Sequence, residues 1–87
     1  MKTDVLNYRI IVEKEQQDDG TVYVAYAPSL GLSDFGTTID KAVANIEQAI
    51  KLYLETLVEL KEEVPQPDTD DYYVTTRKIA FNTPARL

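Results

Sequence analysis

From Asn7 to Lys14 the chain alternates, with Tyr8, Ile10 and Val12 on one side and Arg9, Ile11 and Glu13 on the other. That period of two predicts a strand. Polar Glu15-Gln16-Gln17-Asp18-Asp19-Gly20 follows, and its Asp-Gly step supplies the positive-φ residue of a hairpin before β-rich Val22-Tyr23-Val24-Ala25-Tyr26. Pro28 has no N–H to give to a ladder, so the second strand ends there and Pro28-Ser29-Leu30-Gly31 turns the chain into a short third strand, Leu32 to Gly36.

Thr37 with Asp40 three residues on has the form of a capping box, a hydroxyl for an orphan helix amide and a carboxylate at the positive end of the dipole. Ile39, Ala42, Val43, Ile46, Ala49, Ile50, Tyr53, Leu57 and Leu60 then recur at three- and four-residue steps, predicting an amphipathic helix of about 24 residues. Glu47 and Lys51 stand four apart on the opposite face in the favourable order. Leu54 and Val58 flank the stripe, and phase alone does not assign them to core or surface. Val64-Pro65-Gln66-Pro67 stops the helix, and after Asp68-Thr69-Asp70-Asp71 the β-type run Tyr72 to Ile79 predicts a fourth strand.

The predicted order is βββαβ, an α+β domain with a four-stranded mixed sheet in the order 3-2-1-4 and one long helix on one face. A right-handed crossover would carry the helix from the third strand to the fourth. The domain spans residues 1–81, with 82–87 a short tail. One helix covers one face, so the other is left open. We assign Ile11, Tyr23 and Ala25 to it, with Tyr73 as a further candidate, as a surface for self-association or a partner; the plainer alternative is a half-solvated sheet.

Composition narrows the chemistry. The 87 residues hold no Cys and no His, which removes disulfides, thiolate sites, the usual general base and the commonest zinc ligand. With 15 acidic against 9 basic residues the net charge is −6, the wrong sign for binding a phosphate backbone. No stretch is long enough to span a membrane, and the first residues lack the pattern of a signal peptide, so the expected location is cytoplasmic. Carboxylates are plentiful, but Glu13 ends the first strand whereas Asp70 and Asp71 precede the fourth. Were those strands parallel, the groups would sit about 20 Å apart at ~3.3 Å per residue, too far to share the ions of a two-metal nuclease. No cofactor, metal site or catalytic set is expected. Gly36-Thr37-Thr38 reads as the helix cap rather than an anion site.

The helix end breaks a local rule. Glu55, Glu59, Glu62 and Glu63 against a lone Lys61 oppose the dipole and place like charges four apart. With Asp68, Asp70 and Asp71 they make an acidic patch suited to a basic partner, although a merely solvated face is the simpler account.

The segments Val24-Ala25-Tyr26-Ala27-Pro28-Ser29-Leu30-Gly31, Gly36-Thr37-Thr38-Ile39-Asp40-Lys41-Ala42 and Ala44-Asn45-Ile46-Glu47-Gln48-Ala49-Ile50 resemble the HicB antitoxin family, as do Leu52-Tyr53-Leu54 and Val64-Pro65-Gln66-Pro67. The resemblance runs from Asn7 to Thr76; it departs at Ser29 and Gly31, where the turn is one residue shorter than the family's. It implies a truncated RNase H-like fold and a non-enzymatic partner of a small basic HicA-like toxin that cleaves messenger RNA. Many family members carry a further DNA-binding segment; the few residues after Phe81 are too short for one, so no direct nucleic-acid binding is expected. The expected function is neutralisation of the toxin by covering its RNA-binding or catalytic face. Asp34, Asp68, Asp70 and Asp71 are the candidate acidic contacts, and Tyr23 and Tyr73 the open-face contacts. The alternative is an orphan HicB-like domain that forms a homo-oligomer without a toxin.

Overall fold

The computed structural model describes residues 3–84. Its elements are β1 (Ile11–Gln17), β2 (Gly20–Ala27), β3 (Leu32–Gly36) and α1 (Ile39–Glu59), with the strands in one antiparallel sheet in the order β1-β2-β3. Asp18 and Asp19 form the two-residue turn between Gln17 and its partner Gly20, which adopts φ 141°. The longer turn after Ala27 folds back through Leu30 and Gly31 N–H bonds to the Ala27 carbonyl, with Gly31 at φ 67°. Both glycines stand where a side chain would be strained.

β1 starts later than the alternation of Asn7 to Lys14 predicts. Ile11 pairs with Tyr26, so Arg9 falls opposite Pro28, which has no N–H to offer, and the ladder stops. The helix begins one residue later than the capping box implies. Thr38, not Thr37, is the N-cap, in extended conformation, and its hydroxyl accepts the Lys41 N–H at 3.1 Å. At the other end Glu62 N–H bonds the Leu57 carbonyl and Lys61 N–H the Val58 carbonyl, with Lys61 at φ 58°. This is a Schellman close with lysine in the left-handed position that glycine normally holds.

The helix packs on one face of the sheet. Ala25 and Ala27 from β2 and Ala42, Ile46 and Ile50 from α1 form the buried centre, surrounded by Tyr8, Ile10, Val12, Tyr23, Leu30, Leu32 and Leu54. Leu57 is buried on the same helix face, whereas Ile39 and Leu60 at the two ends of the predicted stripe are mostly exposed. Of the two flanking residues, Leu54 joins the core and Val58 faces solvent. Among the described residues no buried side-chain nitrogen or oxygen lacks a hydrogen-bond partner.

Among the described residues the sheet has three strands, not four, so the expected order 3-2-1-4 is corrected to 1-2-3. After α1 the chain returns to the start of β1, where the Asp68 N–H bonds the Asn7 carbonyl at 2.8 Å. The next rung of a ladder would need a backbone carbonyl for the Arg9 N–H, but the Asp68 side chain takes that N–H through Oδ2 at 2.6 Å. The carboxylate has intercepted the ladder after one bond. Residues 73–84 then run outside any strand and are exposed throughout. The chain is drawn out accordingly, 63 Å along its longest axis with a radius of gyration of 17.5 Å, against about 12 Å for a compact domain of this length.

Gly36 sets how close the helix comes. An added Cβ there would lie 2.5 Å from Ala42 N and 2.8 Å from the Lys41 carbonyl carbon, backbone atoms that do not yield as a flexible side chain would. Gly36→Ala is expected to push the first turn of α1 off the sheet at a cost of about 1–3 kcal/mol, read as a lower urea midpoint with an unchanged slope. A midpoint equal to wild type would show that the helix start has slack.

Candidate partner-binding site

Register decides which side chains the sheet presents on each face. Directly paired residues share a face, so Val12, Ala25 and Asp34 lie on the helix side, as do Lys14, Tyr23 and Gly36. The opposite face is built from two cross-strand rows, Ile11–Tyr26–Ser33 and Glu13–Val24–Phe35, with Glu15 paired to Val22 beside them. Phe35 is 62% and Tyr26 44% exposed. The result is an apolar strip of Val22, Val24, Tyr26 and Phe35 edged by Glu13 and Glu15 along β1. A shallow depression lies within it, lined by Glu15, Gln17, Val22, Val24, Ser33, Asp34 and Phe35.

Two predicted open-face residues are therefore corrected. Ala25 is fully buried and Tyr23 packs against the core beneath the helix. β2 is apolar on both faces, and its small residues face the helix because only they let it approach. Ile11 is on the open face as expected. Tyr26, Phe35, Val22 and Val24 were missed, and the available signal was the spacing of Ala25 and Ala27, two small residues two apart in one strand. Tyr73 is 92% exposed but belongs to the segment beyond the sheet, not to its face.

The acidic candidates separate in the same way. Asp34 stands at the sheet edge, where its Oδ1 accepts the Phe35 N–H at 2.8 Å. Asp68 is an internal tie rather than a free contact. Its carboxylate accepts the Arg9 N–H and the Ser29 hydroxyl, and it pairs with the Arg9 guanidinium at 3.7 Å. Arg9 also donates to the Thr69 carbonyl at 3.2 Å and lies 3.1 Å over the Tyr72 ring centroid, while the Tyr8 hydroxyl donates to the Pro65 carbonyl at 2.6 Å. The segment 65–72 is thus clamped across the start of β1. Asp70 and Asp71 are exposed just before the chain leaves this clamp, and the structure does not bring them to Asp34.

Electrostatics follow from the clamp. The Arg9 backbone N–H, then the Ser29 hydroxyl, hold the Asp68 carboxyl below the usual carboxylate range, with the Arg9 charge adding and partial burial opposing. Tyr8 is raised above the ordinary phenol value, first by burial and then by the Asp68 charge. Among the described residues no group of three or more acidic, His or Cys side chains is placed to hold a metal ion, and no helix is long and apolar enough to cross a membrane.

A helix thus packs on one face of an antiparallel sheet, and the other face carries an apolar strip with acidic borders. Residues 8–82 match the family model described as the HicB_like antitoxin of bacterial toxin-antitoxin systems, and the chain belongs to that family. It is 40% identical over 65 residues to UPF0150 protein ssr1765 of Synechocystis sp., covering 74% of this chain and 78% of that one. It is 33% identical over 70 residues to UPF0150 protein Ta0767 of Thermoplasma acidophilum, covering 79% and 97%. No solved structure gives a significant match to the chain.

Asp68→Asn tests the clamp. Because the folded carboxyl titrates below its unfolded value of about 3.9, its contribution is present above that pH and is lost as pH falls through the lowered folded value. The variant is expected to be less stable than wild type at neutral pH, with the gap closing in acid. Urea midpoints at a series of pH values check this, and a gap independent of pH would mean that shape rather than charge holds the segment.

Proposed function

We propose that this chain neutralises a small basic RNA-cleaving toxin of the HicA type by covering the surface with which that toxin binds or cuts RNA. Family membership supports the toxin-antitoxin setting, and the observation that carries the mode of binding is the open sheet face. Phe35, Tyr26 and Val24 supply an apolar anchor, and Glu13 and Glu15 border it with charges where a toxin would otherwise meet phosphates, with Asp34 adding its charge at the β3 edge. In this reading the three strands and helix are a truncated RNase H-like unit, and inhibition is steric and electrostatic, without catalysis or cofactor, in the cytoplasm. Asp70 and Asp71 steer the same basic partner from the end of the sheet. Asp68 and Tyr23 act indirectly, one holding the returning chain and the other supporting the sheet from beneath.

The test is co-expression with whichever short reading frame for a basic protein adjoins the gene. That frame alone is expected to arrest growth, and this chain to restore it and co-purify with its product. Phe35→Ala and the pair Glu13→Lys/Glu15→Lys are each expected to weaken the complex at least about tenfold with the fold intact by circular dichroism. A non-toxic neighbour, or full rescue by both variants, would refute this reading of the open face.

A further inference from the structure

Beyond Tyr72 the chain forms an arm for which the rest of the molecule has no use. Tyr73-Val74-Thr75-Thr76 and Ile79-Ala80-Phe81 are strand-forming residues, yet they lie outside every ladder. Tyr73, Val74, Ile79 and Phe81 are each more than two-thirds exposed. The arm is also set apart by charge. All 15 acidic residues stand at or before Asp71, while the charged residues after it are Arg77, Lys78 and Arg86. A cationic arm on an acidic body is attracted to another body of the same kind.

The sheet has two edges and they are not alike. On β3 the Phe35 N–H is taken by Asp34 Oδ1 and its carbonyl by Asn45 Nδ2, both at 2.8 Å. Side chains thus close the middle of that edge against further pairing. On β1 the two-residue turn closing at Gln17–Gly20 directs the odd-numbered backbone groups toward β2. Alternation then turns those of Val12, Lys14 and Gln16 outward, and among the described residues no strand lies beside them.

We infer that two copies of this chain exchange arms, residues 73–79 of each adding as a strand to the outer edge of β1 in the other. The fourth strand that the residue pattern predicts is then supplied in trans. β1 is 7 residues long, a match for that stretch. Consecutive Arg77 and Lys78 project to opposite faces, so one of them lies on the face that carries Glu13 and Glu15. The clamp at Asp68 holds the root of each arm on its own body, and the Tyr72 N–H bond to the Asp70 carbonyl at 3.1 Å bends the chain just before it leaves. The exchange is two-fold and closes on itself. It uses an edge rather than the open face, and it stands independently of the toxin reading.

The purified full chain tests it without any toxin. Light scattering behind a sizing column is expected to give twice the 9.9 kDa chain mass. Thr75→Pro/Thr76→Pro removes a donor from whichever edge of the arm faces the ladder and is expected to give monomer with unchanged helix content. Arg77→Glu/Lys78→Glu keeps the strand propensity and is expected to raise the dimer dissociation constant about tenfold and to abolish its salt dependence. The acceptor edge is located by mixing ¹⁵N-labelled proline variant with unlabelled wild type. The amides of Val12, Lys14 and Gln16 should then exchange more slowly than in the variant alone. A monomeric wild type, a proline variant as dimeric as wild type, or slow exchange of those amides in a wild-type monomer would each overturn the exchange. The last would place the arm on its own sheet. An arm protected only when a basic toxin is added would assign it to the toxin instead.

Discussion

The close approach of α1 to the sheet is the constraint from which the other features follow. Gly36, Ala25, Ala27 and Ala42 carry little or no side chain where helix and sheet meet, so the separation is set by backbone against backbone. Larger residues from both sides, Ile46 and Ile50 from α1, Val12 and Leu32 from the sheet and Tyr8 and Ile10 from the segment before β1, fill the margins. Interiors pack at crystal-like density, and a helix seated this close leaves no room to tilt. Its far end is thereby fixed, and the chain leaving it meets the start of β1. A chain of this length buries a small core at best, and here a single face of the sheet contributes to it.

The parts of the fold legible from residues alone are those in which one local rule acts without competition. β3 occupies Leu32–Gly36 as predicted, and the helix follows its stripe from Ala42 to Leu57. Where two rules compete, reading along the chain failed. Thr37 and Thr38 are both capping residues, and choosing between them takes the geometry of the Gly36 approach. In β2 apolar residues occupy both faces, so alternation marks a strand without saying which side is buried. Tyr23 and Ala25 were expected together on the open face, but Ala25 and Ala27 are small enough to let the helix approach, and Tyr23 shares their face. The fourth strand failed for another reason. Its residues have the propensity, but propensity expresses itself in a ladder only when a partner edge is presented, and Asp68 ties the returning chain to Asn7, Arg9 and Ser29 rather than to the outer edge of β1.

The candidate site was legible in its chemistry more than in its placement. The absence of Cys and His and the acidic balance are read directly from composition, and the toxin-antitoxin setting comes from the family. Placement depended on register, which a single chain without its partners does not display. Asp68 illustrates the gap. In sequence it is one of several aspartates near the helix end, in the same cluster as Asp70 and Asp71. In the fold it alone faces a backbone N–H, a serine hydroxyl and a guanidinium at once, and its charge is committed internally.

The two edges and two faces of the sheet are therefore assigned different work by different physics. One face is closed by the helix, and the other is apolar and bordered by acid. The β3 edge is closed by Asp34 and Asn45, which prevents open-ended stacking of sheets, since a molecule with one available edge can pair once and then stops. Such an arrangement favours small closed assemblies over fibres. The segregation of every acidic residue from the arm fits the inferred exchange, because bodies of like charge repel and association would then require the arm. In the arm exchange inferred above, a chain with so little core would still present a large, specific surface, because assembly would add a strand in trans beside the three that one chain's described residues form.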